Sequence, residues 1–138
     1  MRNYVRTLFS VAEGMESAAC FFLKAAAERG EVTLPLGSPE TDSGSLPDRL
    51  IATFNLYSEL FGTGYRLPQS GKQWEGFLVA HVARNRLTHP KTAEDLGVSI
   101  QEYIQCLEGN RWLTYVYDSL RLDTDKMLRF AVQAGSIT

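Results

Sequence analysis

Apolar residues recur along most of this chain every three or four positions, the period of an α-helix with one buried face. Val5, Leu8, Phe9, Ala12, Met15, Ala19, Phe22, Leu23 and Ala26 trace the first such face, and Gly30 supplies the residue that commonly ends a helix. Gly14 inside that helix costs up to about 1 kcal/mol relative to alanine, which predicts that a neighbouring helix approaches closely there. The stretch from Thr33 to Ser45 is rich in Pro, Gly, Ser and Thr and reads as a loop. Pro47 then suits the first turn of a second helix bearing Leu50, Ile51, Phe54, Tyr57, Leu60 and Phe61, stopped by Gly62.

A second loop, Thr63 to Gly71, leads to a third helix over about Lys72 to Leu87, in which Trp74, Phe77, Leu78, His81 and Val82 recur at helical spacing. Arg84 lies seven residues after Phe77 and Asn85 seven after Leu78, so both are expected to continue its apolar stripe. Pro90 disfavours the α conformation at His89, where the helix should end. After a connector from Thr92 to Val98, Ser99 and Glu102 form a capping box. It opens a long helix through Tyr103, Ile104, Leu107, Leu113, Val116, Tyr117 and Leu120. Asp123 to Ala134 is a last helix, either separate or continuous with it. No segment of useful length alternates with the period of a strand. The expected fold is all-α, a bundle of four to five helices.

Length and composition keep this picture simple. The chain has 138 residues, 44% of them hydrophobic and 22% charged, which suits a single domain over residues 1–138 rather than a disordered segment. No apolar run approaches the roughly 18 residues of a membrane span, so no membrane association is expected. The N-terminal segment sets Glu13 and Glu16 among its apolar positions and so reads as a packed helix, not a signal peptide. Cys20 and Cys106 form no CxxC pair; they are expected to be small core residues of a reduced, cytoplasmic protein. No cluster has metal-ligand spacing, and neither a metal nor another cofactor is expected.

Charge changes the picture at one place. The whole chain carries a net charge of -2, yet Gly76 to Ala93 contains no acidic residue, while Arg84, Arg86, Lys91, His81 and His89 crowd into it. A basic, imidazole-bearing patch on an acidic protein points to an anion, of which phosphate is the commonest. Positions five apart on a straight helix sit roughly 140° from each other. A helix that ends at His89 frees that imidazole to swing back toward Arg84. An arginine to hold phosphate oxygens and a histidine to move a proton suffice for metal-free RNA cleavage.

Arg84-Asn85-x-x-x-His89 resembles the R-polar-x-x-x-H signature of the HEPN superfamily. The similarity extends through Gly71-Lys-Gln-Trp-Glu-Gly, the run from Arg84 to Lys91, Glu94-Asp-Leu-Gly-Val-Ser, and the N-terminal Val5-Arg-Thr-Leu-Phe with Glu13-Gly14. The resemblance implies a small all-α domain and a metal-independent endoribonuclease of a toxin–antitoxin or phage-defence system. It assigns catalysis to Arg84, Asn85 and His89, and leaves Arg86, Thr88 and Lys91 to hold flanking phosphates. It also implies a homodimer in which two motifs face each other across a two-fold axis, supplying the second imidazole that one motif lacks. RNA is the implied substrate, and an antitoxin or a defence-complex protein the implied partner.

Plainer readings of the same residues stand beside this one. Arg84 also fits an arginine reaching out from a buried seam, His89 a helix cap, and Asn85 a hydrogen bond across a helix interface. His81 reads as a core histidine, with a second catalytic imidazole as the alternative. Arg86 and Lys91 fit solvated surface charges. Arg6 and Glu13 share one face of the first helix, either lining the site or forming a salt bridge. A non-catalytic HEPN module that binds nucleotide or RNA, or serves as a dimerisation or partner subunit, is the alternative function.

Overall fold

In the computed structural model, which describes residues 1–34, 44–60, 64–133 and 135 (the backbone alone at 122–124 and 126–132), the helical periodicity becomes four α-helices. They are α1 (Arg2–Glu28), α2 (Leu46–Leu60), α3 (Lys72–Thr88) and α4 (Ile100–Gln133), with a 3-10 turn at Glu94–Leu96 between the last two. No strand occurs among the described residues, and none of their helices is long and apolar enough to cross a membrane. The all-α bundle is therefore what the chain forms.

Local chemistry sets the helix ends. Gly30, at φ 73°, donates to the Ala27 carbonyl, while Glu31 N–H reaches the Ala26 carbonyl, so α1 ends in a Schellman motif. The hydroxyl of Ser45 accepts from the Asp48 N–H at 3.4 Å and donates to the Asp48 carboxylate at 2.7 Å, opening α2. Ser99 and Glu102 exchange reciprocal bonds of 3.1 Å, the capping box that starts α4. α4 then runs unbroken to Gln133, so the last two expected helices are continuous. Phe61 as an apolar position of α2, its expected stop at Gly62, Thr63 of the second loop, most of the loop from Thr33 to Ser45, and Ala134 lie outside the described residues.

Aromatic rings fill the centre. Trp112 lies 4.7 Å from Phe77 and 4.9 Å from Trp74, centroid to centroid, and Phe77 lies 5.2 Å from Phe9 of α1. The indole N–H of Trp112 donates to the Pro68 carbonyl at 2.8 Å, which satisfies its polar edge inside the core. Val5, Leu50, Leu87, Cys106 and Val116 complete the buried cluster. Cys106 is a core residue, as expected, and burial pushes its thiol up to about 11. Cys20 is half-buried, 3.8 Å from the Thr53 hydroxyl.

Three expectations about faces are corrected. On α3 the buried positions are Gly76, Phe77, Ala80, Ala83 and Leu87; Leu78 is 38% exposed, Val82 is 64% exposed, and Asn85 lies on their open side. The cause is backbone contact. A Cβ on Gly109 would sit 2.8 Å from Phe77 Cα, and one on Gly76 would sit 2.6 Å from the Gln105 carbonyl oxygen. Small residues at 76, 80 and 83 let α4 seat directly on α3, and that turns the larger Leu78 and Val82 outward. Gly14, where a close approach was expected, has no atom of the described residues outside its own helix backbone within 4 Å of the place its Cβ would take. Phe22 is mostly exposed, and Glu16 is buried in the α1 face instead, 3.5 Å from Arg49 Nε.

Candidate functional site

The end of α3 carries the chemistry. The helix runs through Thr88 and is capped by His89, at φ -125° and ψ 63°, whose N–H still donates to the Asn85 carbonyl. Pro90 has no N–H to continue the ladder, so the chain leaves the helix at the histidine. The imidazole of His89 is exposed and, among the described residues, makes no hydrogen bond or ion pair.

Arg84 points the other way, toward α1. Its guanidinium donates to Glu13 Oε1 at 2.5 Å and to Asn85 Oδ1 at 3.2 Å, with the side chain 28% exposed. Asn85 passes the chain on, for its amide nitrogen lies 3.2 Å from His81 Nε2. Glu13, Arg84, Asn85 and His81 thus form one polar string over the top of the core. The other ring nitrogen of His81 is buried without a partner, and the ring lies 5.8 Å from Phe9. Burial, and after it the Arg84 and Arg49 guanidiniums, holds the imidazole below its ordinary range, against weaker pulls from Asp48 and Glu13. His81 is therefore neutral at neutral pH, and its Nε2 acts as the acceptor for Asn85.

A cleft of about 340 Å³ opens between α1 and the end of α3, lined by Arg6, Phe9, Ser10, Glu13, Arg84, Leu87 and Thr88. Arg6 donates to the Leu87 carbonyl at 3.2 Å, filling one of the acceptors that a helix end leaves open. Thr88 turns its hydroxyl proton back to the Arg84 carbonyl at 2.8 Å. A larger groove, about 510 Å³, lies between α1, α2 and α4; its walls are chiefly apolar (Val11, Met15, Phe54, Tyr57 and Leu120 among them), with the ion pair of Arg121 and Asp125 at one side.

Arg86 is a different kind of residue from Arg84. Its guanidinium makes a fork to Glu102 at 2.6 and 3.1 Å and donates to the carbonyls of Asp95 and Gly97 at 3.2 and 2.8 Å. It pins the connector and the first turn of α4 to the end of α3. The Asp95 carboxylate in turn accepts the N–H groups of Lys91 and Thr92, which hold it below the usual carboxylate range. The Lys91 side chain is exposed.

The sequence-predicted residues therefore divide. Arg84 and Thr88 line one cleft and Asn85 holds Arg84 from outside it, while His89 and Lys91 stand in the open beyond the helix end and Arg86 faces α4. Two members of the polar string carried little weight in the pattern alone. Glu13 stands 71 positions before Arg84, a separation that no spacing rule links. His81 reads as a core residue until Asn85 is seen to bind it. Among the described residues no group of three or more His, Cys, Asp or Glu side chains is arranged to hold a metal ion. No family model, curated protein or solved structure matches this chain.

Proposed function

We propose that this chain is a HEPN-type, metal-independent endoribonuclease that works in the cytoplasm as a homodimer, within a toxin–antitoxin or phage-defence system. The observation that carries the reading is an unpartnered imidazole, His89, five residues after an arginine at the mouth of a polar cleft. In the reaction the ribose 2′-oxygen attacks the adjacent phosphorus while the bond from phosphorus to the 5′-oxygen breaks. His89 takes the 2′-hydroxyl proton, and a second acid, His89 of the partner subunit, protonates the leaving 5′-oxygen. The products are a 2′,3′-cyclic phosphate and a 5′-hydroxyl. Imidazoles suit both transfers near neutral pH. Arg84 stabilises the charge that gathers on the phosphoryl oxygens, and Asn85 keeps its guanidinium oriented.

The exposed face of α3 supports the dimer. Leu78, Val82, Asn85 and His89 follow one another at intervals of four, three and four, so a second copy laid on Leu78 and Val82 meets the motif directly. The test is incubation of the purified protein with total RNA in EDTA, beside a His89→Ala control, with the product ends analysed. Cyclic-phosphate ends that depend on His89 support the reading. Cleavage that disappears in EDTA and returns with magnesium or manganese removes it.

One observation favours the non-catalytic module instead. Arg84 already holds a carboxylate, so its charge is neutralised in the free protein. On that reading the string from Glu13 to His81 is structural, and the chain binds RNA or nucleotide, or serves a partner protein, without cutting. Absence of any cleavage by a well-folded dimer favours it.

A further inference from the structure

The cleft between α1 and α3 holds two guanidiniums and one carboxylate. Arg84 is paired with Glu13, whereas Arg6 has no acidic partner among the described residues. The cleft is thus positive by one charge even with the internal pair intact. Ser10 and Thr88 both direct their hydroxyl protons onto the helix carbonyls of Arg6 and Arg84, so the free donors facing the cleft belong to arginine. Arg6 is also fixed in place. One of its five N–H groups is tied to the Leu87 carbonyl, which orients the planar fork and leaves the other donors available.

We propose that this cleft is a phosphate subsite for RNA, with Arg6 and Arg84 as its two walls and Glu13 as a resident counter-ion that an incoming phosphodiester displaces. The identity of the ligand as RNA rests on the endoribonuclease reading; the anion site rests on the cleft itself. Glu13 is 40% exposed and Arg84 28%, and ion pairs so open to water hold weakly. A phosphate bridging two guanidiniums makes charge-assisted, forked bonds to both, which the single carboxylate cannot. The volume of about 340 Å³ falls within the range of small-ligand sites and leaves room for a sugar beside the phosphate. Glu13 then has two tasks: it keeps Arg84 extended toward the cleft before substrate arrives, and it sets a threshold that weak anions do not cross.

The test is equilibrium binding of inorganic phosphate and of a fluorescent 2′-deoxy oligonucleotide, which has no 2′-hydroxyl and so reports binding without cleavage. Arg6→Gln keeps a donor for the Leu87 carbonyl but loses the charge. It should weaken both ligands about tenfold and lower the salt slope of oligonucleotide binding by about one. Glu13→Gln removes the competitor and should tighten both by about threefold to fivefold. Melting curves accompany each variant, and if Arg6→Gln unfolds, Glu13→Gln decides alone. Unchanged affinity in Arg6→Gln, or weaker binding in Glu13→Gln, overturns the subsite. A protein that binds in the expected pattern but cuts no RNA keeps the subsite and loses the endonuclease. One that cuts RNA while Arg6→Gln binds like the wild type keeps the endonuclease and loses the subsite.

Discussion

The two sides of α3 are built differently. Toward α4 the helix is seated backbone on backbone at Gly76 and Gly109, and it is locked at its end by the fork from Arg86 to Glu102. Toward α1, Phe77 meets Phe9 in the core, but above that contact the helices part around a polar cleft bridged by Arg84 and Glu13. Two arginines, two residues apart on one helix, thus do opposite work. Arg86 is surrounded by fixed acceptors, two of them carbonyls that cannot leave, whereas Arg84 holds one exposed carboxylate that can. The difference teaches where an exchangeable site can lie: on the side whose partners can be replaced by a ligand without dismantling the fold.

The sharpest way to break this comparison is to add one methyl group. Gly109→Ala gains about 1 kcal/mol of helix propensity but drives its Cβ into the backbone of Phe77, which has nowhere to move. A net loss of about 3 kcal/mol is expected, read as a fall in urea midpoint. Gly14→Ala is the control. Among the described residues its Cβ meets nothing within 4 Å outside its own helix backbone, so it should stabilise by about 0.5–1 kcal/mol. Equal effects at the two positions would mean that α3 and α4 are not seated on their glycines.

On the cleft side the next largest effect falls on catalysis. Arg84→Lys keeps the charge but loses the planar fork, so it should behave nearly as badly as Arg84→Ala, with turnover reduced about a hundredfold. Stability should change little in either. Wild-type turnover in Arg84→Lys would show that Arg84 contributes only bulk charge.

Arg86 should show the reverse pattern. Glu102→Gln breaks a partly buried, forked pair and should cost about 1–3 kcal/mol, with no specific effect on RNA beyond the loss of folded protein. The same pair gives stability a pH dependence. The hydrogen bonds from Arg86 hold the Glu102 carboxyl below its ordinary 4.5, against a smaller opposing effect of burial. The stabilisation is therefore complete above about pH 4.5 and lost as pH falls through the lower folded value. Urea titrations between pH 6 and pH 3 should show a steeper loss in the wild type than in Glu102→Gln. Parallel curves would remove Glu102 from the lock.

The fold was legible because helix ends are written locally. Gly30, Pro47, Pro90, and Ser99 with Glu102 each act within a few residues, and each marks the end or the first turn of a helix where its chemistry requires. The faces were less legible. Hydrophobicity ranked Leu78 and Val82 above Gly76, Ala80 and Ala83, yet close approach of two backbones decided which side is buried, and that depends on a glycine 33 positions away in α4. The site divided in the same manner. Arg84 and His89 stand out by spacing, but the role of Arg86 became visible only once Glu102 was placed beside it, and the partner of Glu13 only once α1 lay across α3.

The smallest expected effect is the most informative about the cleft. If the Glu13–Arg84 pair is a resident contact that a ligand exchanges for its own, it should contribute little to stability, since both partners remain within reach of water. A double-mutant cycle with Glu13→Gln and Arg84→Gln should give a coupling of about 0.5 kcal/mol or less. The matching cycle of Arg86→Gln with Glu102→Gln should give several times as much. High salt should shrink the first coupling more than the second, because the second is shielded by the connector and α4. Couplings of equal size would place Arg84 in the same structural class as Arg86, and the polar string above the core would then belong to the scaffold rather than to a site.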